Sequence, residues 1–153
     1  MIKLMIALTL FCSLSVSAST ECMNMTGEYL TNRGSTSGHT ILTKLTVTQT
    51  RCSEITFSYS PEGGHNFSKT YLLDGVRRLS FDDGLTIMFE RATLENKILT
   101  IDGQTERRYE DGFTKTITTF TLDFDGNLAE YKYIYDEYDN EIGTVITGFG
   151  RVQ

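Results

Sequence analysis

Few residues in the chain could do chemistry, and the most suggestive of them stand in "LDFDGN", residues 122–127. Asp123, Asp125 and Asn127 have the spacing of the first oxygen ligands of a helix–loop–helix calcium site, which also needs flanking helices and a bidentate glutamate at position 12. That position is Ile134 here, and both flanks alternate with a period of two. The stretch is therefore read as the tight turn of a β-hairpin. The chain has only 2 histidines, His39 and His65, each in a glycine-rich turn region, and no His or Cys spacing suits zinc. No G-x-S-x-G elbow is present, and a Ser/His/Asp triad has no support in the spacing. Two carboxylates facing each other inside a barrel could hydrolyse a glycoside, but the acids gather in turns, where solvation is their simplest purpose. We expect no metal, no cofactor and no catalytic group, and so a protein that is not an enzyme.

Aromatic residues are the next candidates. In "LAEYKYIYDEY" alternation puts Ala129, Tyr131, Tyr133 and Tyr135 on one face of a strand and Glu130, Lys132 and Ile134 on the other. Charges belong to water, so the tyrosine face is expected to point inward. It would serve there either as core or, joined by Tyr109, as a polar-aromatic lining for a small ligand. Arg91 shares parity with Leu85, Ile87 and Phe89. An unbroken strand would carry its guanidinium inward, to an internal carboxylate or an acidic ligand. A strand that ends or bulges near Glu90 would instead let it reach solvent.

The elements that must hold these residues alternate with a period of two from Gly27 onward. In "HTILTKLTVTQTR", Ile41, Thr43, Leu45 and Val47 share a face; in "SEITFSYS", Ile55, Phe57 and Tyr59 do. Threonine, isoleucine and aromatic residues dominate these runs, as suits a pleated, half-buried surface. Asp-Gly at 74–75, 83–84, 102–103, 111–112 and 125–126 punctuates them, and such pairs signal hairpin tips because both central positions of the turn need positive φ. The pattern predicts strands over 27–32, 39–50, 53–60, 67–73, 76–81, 85–92, 97–102, 104–110, 113–123, 128–136 and 143–151. Consecutive hairpins make an antiparallel up-and-down meander, and closing it into a barrel of about eight to ten strands removes aggregation-prone edges. The alternative all-β arrangement is a two-sheet β-sandwich.

The first residues, "MIKLMIALTLFCSLSVSA", read as a signal peptide over 1–18, leaving one domain over 19–153 that is secreted or periplasmic. No later segment is long or apolar enough to span a membrane. Loss of Lys3 leaves 13 basic against 20 acidic residues, a surface that repels nucleic-acid backbones and anionic membranes. Of 3 cysteines, Cys22 and Cys52 remain after the cut and are expected to form a disulfide. "NMT" at Asn24 and "NFS" at Asn66 match the glycosylation acceptor pattern.

"TGEYL", Thr26 to Leu30, opens this meander and resembles the G-x-W start of the first strand of lipocalin-type (calycin) barrels, with Tyr29 where those proteins carry tryptophan. Arg151 would match the arginine that packs across that ring. The resemblance implies a cup-shaped barrel that binds a small, often apolar molecule. Two functions follow as expectations. One is a carrier or sensor of a small-molecule ligand, lined by Tyr109, Tyr131, Tyr133, Tyr135 and Arg91. The other is an interaction module, an inhibitor or envelope assembly factor, whose filled barrel meets a protein partner. They differ in cavity volume: roughly 300 Å³ or more for the first, water-sized voids for the second.

Overall fold

The structure, a computed structural model, describes residues 22–34, 40–110 and 112–153. The signal peptide expected over 1–18, His39, and Asp111 of the Asp111–Gly112 pair lie outside the described residues. Ten strands follow one another: β1 (Gly27–Gly34), β2 (Thr40–Thr50), β3 (Glu54–Pro61), β4 (Phe67–Leu72), β5 (Arg78–Asp82), β6 (Thr86–Glu95), β7 (Ile98–Arg107), β8 (Phe113–Leu122), β9 (Leu128–Tyr135) and β10 (Glu141–Arg151). They form one antiparallel sheet in the order β4-β3-β2-β1-β10-β9-β8-β7-β6-β5. The sheet curls until β4 lies against β6. This is the expected barrel meander, and no helix occurs among the described residues. Accordingly, none of them forms a helix long and apolar enough to cross a membrane.

One boundary differs from expectation for a physical reason. The Asp-Gly pair at 102–103 is not a hairpin tip, and the strands predicted over 97–102 and 104–110 are the single strand β7. Gly103 is needed there for space: a Cβ would stand 2.6 Å from Thr116 Oγ1 on β8. Asp74-Gly75 lies in the connection from β4 to β5, two strands that do not pair. The β6–β7 turn works without glycine, with Asn96 and Lys97 both at positive φ (50° and 65°).

The β8–β9 and β9–β10 turns share one construction, Asp-x-x-x-Asn. Asp123 Oδ1 accepts the amides of Asp125 and Asn127 at 2.9 and 2.8 Å, while its own N–H donates to Asn127 O at 2.9 Å. Asp136 Oδ1 likewise accepts the amides of Tyr138 and Asn140, each at 2.9 Å. The left-handed position is filled by Gly126 (φ 79°) in one loop and by Asp139 (φ 61°) in the other. "LDFDGN" is thus a hairpin turn whose first carboxylate is committed to the backbone.

The core fills one end of the barrel. Tyr29, Leu45, Val47, Ile55, Leu99 and Leu128 are fully buried, and Phe57, Phe120 and Phe149 cap them from above. Each such side chain contributes about 1.5 to 3 kcal/mol by leaving water. Met25 plugs this end; its carbonyl accepts the Tyr29 hydroxyl at 2.8 Å and its amide donates to Gln49 Oε1 at 3.0 Å. The expected disulfide, Cys22–Cys52, ties the plug to the β2–β3 turn with a Cα separation of 5.6 Å. Tyr29 stands opposite Arg151 in the β1–β10 ladder, which gives the two residues of the calycin resemblance a common place.

Candidate functional site

Above the phenylalanine layer the barrel is hollow. A cavity of about 530 Å³ is walled by β2, β3, β4, β6, β7, β8, β9 and β10. Its floor is apolar: the Phe57 and Phe120 rings stack at 4.7 Å, and Tyr71 meets Phe57 edge-on at 6.2 Å. One flank is aromatic, with Tyr59 stacked on Phe67 at 4.7 Å. The opposite flank is polar, formed by Thr105, Thr116, Thr118, Glu130 and Lys132.

The sheet's register explains why charges face this interior. Residues directly opposite each other across a ladder point to the same side. Leu99, Phe120, Glu130 and Thr147 form one cross-strand row, and Ala92, Ile101, Thr118 and Lys132 form the next. Leu99, Phe120, Ala92 and Ile101 are core residues, so Glu130 and Lys132 turn inward with them.

Glu90 completes the wall from β6, where the Lys69 ammonium of β4 pairs with its carboxylate. The same ammonium lies 5.3 Å from the centre of the Tyr71 ring. Burial, with the nearby charges of Glu90 and Glu130 adding to it, pushes the Tyr71 phenol far above the ordinary tyrosine range. That hydroxyl is therefore a permanent neutral group of the cavity. Glu130 has an interaction of its own, whereas Lys132 makes no ion pair among the described residues and has Thr118 as its direct neighbour on β8. The wall thus offers a cation and hydroxyls over an apolar floor.

Tyr109, Tyr131, Tyr133, Tyr135 and Arg91, the residues expected to line the ligand site, are not among those that wall this cavity. Tyr131, Tyr133 and Tyr135 alternate with Glu130 and Lys132 and so lie on the outer face, half-buried beside cross-strand neighbours that include Thr119, Ile117 and Lys115. The expectation that charges face water fails because this barrel's interior is itself polar on one flank. Tyr109 is 83% exposed in the β7–β8 turn. Arg91 also points outward, since Met88 and Glu90 take the inner face of β6. Its strand continues unbroken past it, and its Nη2 and Nε lie 2.7 and 2.9 Å from Asp102 Oδ2. Arg77 approaches the same oxygen at 3.5 Å. The residues that do form the wall, Lys69, Glu90, Glu130 and Lys132, stand in sequence at every second position of their strands. Only the cross-strand register marks them as inner.

Among the described residues, no group of three or more His, Cys, Asp or Glu side chains is placed to hold a metal ion. No protein-family model matches the chain, and no curated protein matches it in sequence. A solved structure does match in fold: the fluorescent protein UnaG, determined as a point mutant, superposes with a TM-score of 0.58 over 84% of this chain and 96% of that one. The two share the fold of a curled, antiparallel up-and-down β-barrel. At 10% identity the likeness to UnaG concerns architecture and carries none of its side chains across.

Proposed function

We propose that this chain is an exported, non-enzymatic binding protein, a carrier or sensor, whose single domain over 19–153 holds a small amphipathic molecule in the barrel. The observation that carries the reading is the cavity of about 530 Å³, inside the usual range of small-molecule sites and far above the voids of a filled core. A filled-barrel interaction module does not fit that volume. The ligand's apolar body rests on Phe57, Phe120, Phe149 and Ile101, and its acceptor-rich or anionic head meets Lys132, Thr116 and Thr118. The Cys22–Cys52 disulfide is in keeping with an oxidising compartment.

Native mass spectrometry of the protein purified from its own host tests the reading. A small-molecule mass excess that vanishes on denaturation is the expected result. In parallel, Lys132→Met should weaken binding of the recovered molecule by about tenfold, the loss of one charge-assisted contact. Recovery of the bare chain, together with failure to take up any amphipathic anion from a fluorescent-dye panel, would refute it.

A further inference from the structure

Backbone ladders join the strands of the cavity wall in turn, shortened to two residue pairs between β1 and β10 and absent altogether at the seam between β4 and β5. β4 and β5 are adjacent in sequence yet stand at the two ends of the strand order, and no ladder joins them. β5 is further turned aside by a register shift between Leu79 and Phe81. What spans the seam is sparse. At the core end, the Gly75 amide of the β4–β5 connection donates to Ala92 O of β6 at 3.0 Å. Midway, the Lys69 ammonium of β4 meets the Glu90 carboxylate of β6. Nearer the mouth, the Phe67 ring of β4 stacks on Tyr59 of its own neighbour β3, and Phe67 and Phe81 of β5 are 58% and 47% exposed.

We propose that this seam is the entrance through which the cavity exchanges its ligand, latched by the Lys69–Glu90 ion pair; the inference rests on the binding reading above. Lys69, Tyr71, Met88 and Glu90 all line the cavity, so parting β4 from β6 opens its wall directly. Motion of this kind occurs where the fewest backbone hydrogen bonds must break, and here β4 swings with its β3 partner while every other strand boundary stays laddered. The latch holds because the closed pair is largely withdrawn from water, with the Glu90 side chain only 13% exposed and that of Lys69 34%. A partner removed from such a pair leaves the other charge poorly solvated in the closed state. Opening returns that charge to water, so the balance shifts toward the open seam.

The experiment follows capture and release of anilinonaphthalene sulfonate by stopped-flow fluorescence, with amide hydrogen exchange of the same proteins. Glu90→Gln should speed capture on the order of tenfold and accelerate exchange in β4 but not in β8. The charge swap Lys69→Glu with Glu90→Lys should return both readings toward the parent values. An unchanged capture rate in Glu90→Gln, or β4 exchange that matches β8 in the parent and does not respond to the substitution, overturns the proposal. If the parent protein takes up no dye, the binding reading fails, and exchange alone decides whether the seam opens. Accelerated β4 exchange in Glu90→Gln then retains the latch, and its absence removes it.

Discussion

Truncating Phe120 and Tyr133 separately, each to alanine, tests the inside and outside of this barrel in one experiment. Phe120 is 2% exposed and stacks on Phe57 at 4.7 Å. Removing a buried phenylalanine costs about 3 to 5 kcal/mol, of which the aromatic pair accounts for about 0.5 to 1.5 kcal/mol. Phe120 borders the cavity, so water already above it can enter the new space and hold the loss near the lower end of that range. Tyr133 lies on the outer face between Ile117 of β8 and Thr144 of β10. Its truncation forfeits two cross-strand pairs at roughly 0.2 to 1 kcal/mol each, so its cost should stay under about 2 kcal/mol. In a domain of this size 1 kcal/mol shifts Tm by about 2 to 4 °C, and the two variants should melt several degrees apart. Urea unfolding monitored by circular dichroism gives both values at once. A Tyr133→Ala loss equal to or larger than that of Phe120→Ala would refute the register argument that turns Glu130 and Lys132 inward.

Three further outcomes follow from the turns and the plug. Reduction of Cys22–Cys52, 30 residues apart in sequence, should lower stability by about 3 to 4 kcal/mol in the chain-entropy account, read as a shift of the urea midpoint in dithiothreitol; no shift would count against a closed loop in the folded protein. Gly126→Ala forces a side chain into φ 79° and should cost about 1 to 2 kcal/mol, visible in the same titration, whereas an unaffected midpoint would mean that the loop has another conformation. The Asn127 side chain, with the backbone amides of the loop, holds Asp123 below its ordinary value of 3.8, and Asn140 does the same for Asp136. Both groups ionise more readily folded than unfolded, so their stabilisation is complete above that value and is lost as pH falls through and below it. Asp123→Asn with Asp136→Asn should flatten the acid limb of stability measured between pH 5 and 2; an equally steep limb in the double variant would assign the acid loss elsewhere.

Strand existence was legible because threonine, isoleucine and aromatic residues recur with period two between turn residues, and a meander follows from short connections alone. The face that each strand turns inward was not. β6 carries apolar residues on both sides, Ile87 and Phe89 as well as Met88 and Ala92, so alternation by itself is silent about Arg91. β9 begins with Leu128 and Ala129, one on each face, and the choice passed to the tyrosines and charges that follow. A general preference for charges in water then gave the wrong side, because it treats every barrel interior as dry. What settles parity is the ladder: β7 places Leu99 in the core, its partner on β8 is Phe120, and the partner of Phe120 on β9 is Glu130. That inference needs hairpin registers, which depend on turn lengths such as those of the Asp-x-x-x-Asn loops. Once Leu128 is placed in the core, its own parity carries Glu130 and Lys132 into the cavity, and the tyrosines become the outer cross-strand contacts that hold β9 between β8 and β10. The polar flank is therefore a consequence of how the apolar floor is anchored, and any ligand that rests on that floor must meet it.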